Sequence, residues 1–405
     1  MAKIAIMGFG TVGSGVLEVV RRNSAQVAAH AGEPVEVKYI LDVRDFSGHP
    51  DTALFVRELA PILADEEVRV VVETIGGVKF AYPYVKQCLE SGRSVVTSNK
   101  ELVATHGDEL LALAKANGAA FLFEASVGGG MPLITPLYQS VAANNVQRIL
   151  GIVNGTTNFM LGKMEKEGME FFEALALAQK LGYAETKDPS DDVDGPDAAR
   201  KIAILASIAF GRHVYPRQIP TEGIRRVTAE DIRLAAGLGC AVKLIAWAAQ
   251  NESGVCAGVQ PMLVPYDNQL AHVNDVYNAV LLQADLLGDV MLYGKGAGKL
   301  ATASAVVADV MDALRYGSRV HTALFWQPSE SDARFTDAAS HAYYMRVQGL
   351  TPEVLSGLTG TEAHPAETGA WCVTASLNAA ALRDLCAAVQ AAGGAPAIWM
   401  RLLND

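Results

Sequence analysis

The apolar positions of this chain first follow a strand period, then a helix period, and the two keep alternating. Residues 3–7 are β-prone and stop at Gly8, where a strand has to turn sharply. Val12, Val16, Leu17, Val19 and Val20 then make the apolar face of a helix. Val35–Leu41 reads as a second strand, and Val68–Glu73 (VRVVVE) as a third that is apolar enough to be buried on both faces of a parallel sheet. A helix over 81–91, a strand at Ser94–Thr97, a helix running to Asn117 and a strand over 119–123 continue the alternation. Strands separated by helices predict an α/β fold with a doubly wound parallel sheet.

Between the first strand and first helix, Gly8, Gly10 and Gly13 have the G-x-G-x-x-G spacing of a dinucleotide-binding, Rossmann-like βαβ unit. Gly8 permits the turn, Gly10 has no side chain to hold off a pyrophosphate, and Gly13 lets helix and strand pack closely. The end of the second strand, Asp42-Val43-Arg44-Asp45, lies where such a fold meets the adenosine ribose. An acid there suits the 2′-hydroxyl of NAD and an arginine the 2′-phosphate of NADP. Both are present, and the planar guanidinium of Arg44 leans towards NADP. Ser98 and Glu101 have capping-box spacing, which puts Lys100 in a first helical turn, against the helix dipole and within reach of a ligand.

Beyond 130 the pattern changes character. Glu124-Ala125-Ser126-Val127-Gly128-Gly129-Gly130-Met131-Pro132 frees the backbone to approach something closely and reads as a domain junction. A strand over 148–153 leads to Asn154-Gly155-Thr156-Thr157-Asn158, either a helix cap or a substrate loop. A helix over 173–180 ends at Gly182, a fitting C′ glycine. The acidic run 183–197 that follows has three readings. The calcium reading fails, because an EF-hand loop starting at Ser190 would need a bidentate glutamate where Lys201 stands. Solvated acids at a helix start are the second. The third comes from the next helix, where Lys201 shares a stripe with Ile204, Leu205 and Ile208, and Asp197 lies one turn earlier. A lysine pointing inward beside a carboxylate is either a buried ion pair or a proton-transfer group.

Composition narrows the partners. The chain has 405 residues, enough for two or three domains, and a net charge of −11 that argues against nucleic acid. Cys88, Cys240, Cys256, Cys372 and Cys386 are scattered and form no CxxC pair, which suggests reduced thiols in a cytoplasmic protein. No targeting segment or apolar run of about 18 residues is apparent, so no membrane partner is expected.

Taken together, GFGTVGSG, SNKELVATHG, EASVGGGMP, NGTTNFML, the GYAE-to-DVDGPDAARKIAIL segment and YGKGAGKLATASAVVAD resemble the homoserine dehydrogenase family over about the first 320 residues. The resemblance implies interconversion of L-homoserine and L-aspartate 4-semialdehyde with NAD or NADP, in a homodimer or higher homo-oligomer. It implies Lys201 as the proton-transfer residue and Lys100 as a second active-site lysine. Gly182, Glu185, Asp192 and Asp197 would bind the substrate. Cofactor contacts would come from Gly8, Gly10, Thr11, Val12, Gly13 and Arg44, and from Thr74, Ser98, Lys100 and Gly296. Glu124, with the carbonyls of Val127, Gly129 and Met131, would form a structural sodium site, a hard-oxygen donor set. The turn from Glu185 to Asp188-Pro189 is one residue longer than the family pattern, which bears on the reach of Glu185.

The implied domains are a nucleotide-binding domain at 1–130 with a returning helix at about 300–320, an α+β substrate and dimerisation domain at 131–299, and a small α+β piece at 341–405. The last follows a polar linker at 329–340. With strands at 343–348, 371–377 and 397–402 and helices at 352–358 and 379–392, it looks like an ACT domain lacking one strand. Two rivals remain. A thioester-forming semialdehyde dehydrogenase needs an activated cysteine. A non-catalytic NAD(P)H-sensing regulator would leave Lys201 and its carboxylates without purpose.

Overall fold

The computed structural model describes residues 1–251, 254–329 and 337–403. Most of the expected linker therefore lies outside the described residues. The chain divides into two compact units, the first comprising residues 1–146, 200–216 and 282–332, the second residues 147–199, 217–281 and 333–405.

The first unit is built on a parallel six-stranded sheet in the order Phe55–Val56, Val35–Leu41, Ala2–Met7, Val68–Glu73, Ser94–Thr97, Phe121–Leu122. Counted along the chain this is 3-2-1-4-5-6, the dinucleotide-binding order. Ile4, Ile6, Val70, Val71, Val72, Val95 and Val96 are at most 1 % exposed, which is why the central strands read as continuous apolar runs. Helix Thr11–Arg22 buries Val16, Leu17 and Val20. It packs against a late helix, Lys299–Tyr316, so closely that a Cβ on Gly15 would stand 2.9 Å from the Lys299 carbonyl oxygen.

Helix Lys100–Ala116 corrects one local expectation. Ser98 does not cap it; Asn99 does, its side chain accepting the Leu102 N–H at 3.1 Å. Lys100 is then the first helical residue, still in the turn where a cation opposes the dipole.

The second unit carries a mixed sheet in the order Tyr277–Ala284, Val146–Ile152, Cys240–Asn251, Gly254–Pro265, Ala395–Leu402, Tyr343–Gln348, Gly369–Val373, Ala363–Ala366. Cys240–Asn251 and Gly254–Pro265 form a long antiparallel hairpin, and Ala395–Leu402 joins it in parallel through Arg401 and Leu402. The last four strands with helices Pro352–Thr359 and Ala379–Ala391 make a βαββαβ module, a split-βαβ order. The strand missing from the sequence reading is Ala363–Ala366, an edge strand containing Pro365, whose absent N–H is tolerated only at an edge. Met345, Val347, Leu355, Cys372 and Val389 form its core. Its strand Tyr343–Gln348 is tied to helix Ala229–Gly237 by Arg346, which binds both oxygens of the buried Asp231 at 2.6 and 2.8 Å.

Candidate active site

The glycine turn of the first unit forms an open cradle. Gly8 has φ 92°, and a Cβ at Gly13 would lie 2.0 Å from the Gly8 carbonyl oxygen, so the loop closes only with glycine at both positions. A Cβ at Gly10 would meet nothing within 4 Å, which leaves that face clear. Helix Thr11–Arg22 begins with no side-chain cap and no acid in its first turn, so the amides of Thr11, Val12 and Gly13 are presented to an anion. A cavity of about 420 Å³ is lined here by Gly8, Gly10, Asp42, Arg44, Thr74 and Phe80, among others.

Asp42 and Arg44, read as alternatives from sequence, are partners. The Phe9 N–H donates to Asp42 at 2.7 Å, and the Arg44 guanidinium donates to both its oxygens at 3.0 and 2.7 Å. The guanidinium beside it, aided by backbone N–H donors, holds the Asp42 carboxyl down at about 2. Arg44 itself remains more than half exposed (57 %).

Glu73 was not singled out from sequence. It ends a strand buried on both faces and is itself 0 % exposed, so its carboxyl is pushed upward by burial against the pull of its donors. It accepts the Thr97 hydroxyl at 2.5 Å and the N–H groups of Ile75 and Gly76 at 2.7 and 3.2 Å. Asn99 meanwhile donates to the Gly77 carbonyl at 2.6 Å. The loop after the strand, including Thr74, is thus shaped from below. The visible signal was a glutamate closing an otherwise apolar strand.

The triple glycine packs closely against residues 296–301. A Cβ on Gly129 would lie 2.4 Å from the Gly296 carbonyl oxygen, and one on Gly130 2.8 Å from Ala301 Cβ. Glu124, 5 % exposed, accepts the N–H groups of Leu133, Ile134 and Thr135 at 2.6, 2.8 and 2.7 Å. A carboxylate has about four lone-pair sites, so one remains for a cation. Among the described residues no three or more His, Cys, Asp or Glu side chains cluster as metal ligands.

In the second unit, Asn154 is a helix cap and also reaches into the acidic run. Its side-chain oxygen accepts the Thr157 N–H at 2.9 Å and caps helix Gly155–Glu167, while its amide nitrogen donates to Asp192 at 2.7 Å and to Asp197 at 2.9 Å. Two other carboxylates of the run have partners elsewhere: Asp194 pairs with Arg225, and Asp188 accepts the Ser190 N–H. Asp197 is 2 % exposed and Asp192 half-buried, whereas Gly182 and Glu185 are exposed. Gly182 has φ 77° and follows helix Phe171–Lys180, and the next carbonyl, Tyr183, accepts the Thr156 hydroxyl at 2.7 Å. Lys201, half-buried, follows Asp197 by one turn of helix Pro196–Phe210, in which Ile204 and Leu205 are buried.

The cysteines offer no nucleophile: burial raises all five thiols, Cys88 to about 12 and Cys256 to about 11. No helix among the described residues is long and apolar enough to cross a membrane.

Comparison with known proteins agrees with this chemistry. Residues 132–311 match the family model for homoserine dehydrogenase, and residues 8–124 the model for the homoserine dehydrogenase NAD binding domain. The chain is 41 % identical to homoserine dehydrogenase of Pseudomonas aeruginosa over 358 residues, 85 % of this chain and 81 % of that one. It is 44 % identical to the Synechocystis enzyme over 317 residues, 76 % of this chain and 72 % of that one. The crystal structure of a homoserine dehydrogenase from Thiobacillus denitrificans superimposes with a TM-score of 0.90 at 35 % identity, covering 100 % of this chain and 98 % of that one. A hyperthermophilic archaeal homoserine dehydrogenase in complex with NADPH gives a TM-score of 0.65 at 31 % identity, covering 77 % of this chain and 97 % of that one. Nothing in these matches supports a non-catalytic sensor, and the chain belongs to the homoserine dehydrogenase family, NAD(P)-dependent oxidoreductases that interconvert L-homoserine and L-aspartate 4-semialdehyde.

Proposed function

We propose that Lys201 transfers the proton of this reaction while Asp192 and Asp197 hold the substrate through its ammonium group. The observation that carries the reading is Asn154, which turns two carboxylates of a long acidic run to one point while Asp194 and Asp188 are occupied elsewhere. Two carboxylates brought to one point attract a cation such as an ammonium group. As C4 of homoserine gives up hydride, its hydroxyl proton passes to the Lys201 amine; in reduction the Lys201 ammonium returns it to the aldehyde oxygen. Lys100, first in its helix, orients the substrate oxygen with a second cation. Gly182 contributes backbone, and Glu185 adds charge from an exposed position.

A nicotinamide dinucleotide, with its pyrophosphate against the amides of Thr11, Val12 and Gly13, supplies or accepts the hydride. Thr74, Ser98 and Gly296 complete its cradle. Arg44 favours the 2′-phosphate of NADP, because Asp42 is already engaged with it and the guanidinium remains open to a further anion. Glu124 and the carbonyls of Val127, Gly129 and Met131 would hold a sodium ion, with backbone placement as its role. The C-terminal βαββαβ module is read as ACT-like and the assembly as a homodimer, in a cytoplasmic enzyme of amino-acid biosynthesis.

The test is homoserine-dependent reduction of NADP and NAD by the wild type and by Lys201→Ala. The variant should bind NADPH normally while kcat falls by roughly two orders of magnitude or more. An undiminished kcat would refute the assignment.

A further inference from the structure

Lys243 stands within the long strand Cys240–Asn251, 1 % exposed and without an ion-pair partner among the described residues. A buried cation lacking a carboxylate is costly, and burial pushes its amine down to about 8. Its charged surroundings are Glu165 and Lys166 on helix Gly155–Glu167 and Asp275 in the turn opposite, the two acids favouring the ammonium and Lys166 opposing it. Its hydrogen bonds go to neutral oxygens: the Val273 carbonyl at 2.6 Å, and the side chains of Asn158 at 3.4 Å and Asn274 at 3.5 Å.

The segment it grips is under strain. Asp275 has φ 54°, and among the described residues no other non-glycine residue has a positive φ. Such a conformation is uncommon for a residue with a side chain and persists only where its surroundings enforce it. Asn158 donates to the carbonyls of Asp275 and Tyr277 at 3.0 and 3.1 Å. Gly155 approaches the same turn so closely that a Cβ would lie 2.8 Å from the Val276 carbonyl oxygen. The first turn of helix Gly155–Glu167 is thus clamped to Val273–Tyr277, and the residue capping that turn is Asn154, the holder of Asp192 and Asp197.

We propose that Lys243 is a positioning residue for substrate binding, which pins the strained turn to the first turn of helix Gly155–Glu167 and so fixes Asn154 and its two carboxylates. The inference rests on the reading of Asp192 and Asp197 as substrate ligands. Lys243 acts through Asn158 and the turn; it is not assigned a contact with the substrate.

The experiment compares full-length wild type, Lys243→Met, Lys243→Arg, Asn158→Ala and Asp197→Asn for homoserine KM, kcat and NADPH Kd. Lys243→Met should raise homoserine KM about tenfold or more, since displacing a binding group by about 1 Å is costly, with NADPH Kd unchanged. Lys243→Arg, permanently charged, should restore KM. The ratio of wild-type to Lys243→Arg KM should also climb above about pH 8, where the lysine loses its proton and the arginine does not. If Lys243→Met does not fold, Asn158→Ala, which cuts the link with the lysine left in place, carries the same expectation for KM. A folded Lys243→Met with wild-type KM, or a KM ratio flat with pH, overturns the inference. Should Asp197→Asn raise KM while Lys243→Met and Asn158→Ala do not, only the role of Lys243 falls. Should Asp197→Asn leave KM unchanged, the carboxylate reading falls as well.

Discussion

The side-chain amide of Asn154 lies 2.9 Å from the Asp197 carboxylate, while the oxygen of the same amide caps the helix that Asn154 precedes. One side chain therefore caps a helix with one end and holds two carboxylates with the other, and the two can be separated by substitution. Asn154→Ala loses both and should cost about 1 kcal/mol of stability from the cap alone. Asn154→Asp keeps a good N-cap and places a third carboxylate where a donor stood. Its melting temperature should stay closer to wild type than that of Asn154→Ala, while homoserine KM rises at least as much. Equal KM in Asn154→Asp and wild type would show that the amide has no part in holding the carboxylates.

The parallel sheet was legible because its central strands are buried on both faces and leave continuous apolar runs, as in Val68–Glu73, followed by glycine turns. The edge strand Ala363–Ala366 was not, because two alanines and a histidine around a proline carry no β signal; pairing with Gly369–Val373 makes it a strand. Of the site, the glycine cradle and the Asp197-to-Lys201 helix were readable from spacing. The relation between Asp42 and Arg44 was not, since sequence shows two charges at a strand end but not that one binds the other. Asn154 could be seen as a cap. Its hold on Asp192 and Asp197 joins residues 38 and 43 positions apart, which no local pattern encodes.

Glu73 offers a test of how the nucleotide loop is shaped. Its buried carboxyl collects the N–H groups of Ile75 and Gly76 and the Thr97 hydroxyl. Glu73→Gln keeps an oxygen for the two N–H donors, and the Thr97 hydroxyl can turn to accept from the new amide. Glu73→Leu leaves them without a partner, at about 1–3 kcal/mol for the buried Thr97 hydroxyl and less for the part-exposed N–H groups. Glu73→Leu should lower the melting temperature and weaken NADPH binding by about tenfold or more, with Glu73→Gln near wild type. Tight NADPH binding by a folded Glu73→Leu would rule out this shaping role.

Asp309 gives the pH dependence of stability a definite sign. It lies in helix Lys299–Tyr316, accepts the Glu124 N–H at 2.8 Å, and is held well above the usual carboxylate range by burial first and by the Glu124 charge second. A carboxyl whose folded value is raised contributes stability that is fully present below its unfolded value of about 3.9 and is lost as pH rises through the folded value. Asp309→Asn keeps an oxygen for the Glu124 N–H and does not titrate. Its melting temperature relative to wild type should therefore rise as the pH is raised from about 4. An offset that stays constant with pH, measured by thermal denaturation, would exclude Asp309 as the titrating group.

Arg44 offers a test of cofactor choice. Its guanidinium is oriented by two hydrogen bonds to Asp42, whose carboxylate is anchored in turn by the Phe9 N–H, and more than half of the side chain faces solvent. An arginine held this way is pre-organised for a phosphate and has donors to spare. A hydrogen bond to a charged group is worth about 1.5–3 kcal/mol, or roughly ten- to a hundredfold in kcat/KM. Arg44→Ala should thus lower kcat/KM for NADP by that factor. NAD, which lacks the 2′-phosphate, should be used no worse and even somewhat better, because Asp42 is released to accept from its ribose hydroxyl. Steady-state rates with both nucleotides at fixed homoserine decide it: an equal loss with NADP and NAD would mean that Arg44 only supports the loop, and no loss with either that the 2′-phosphate is read elsewhere.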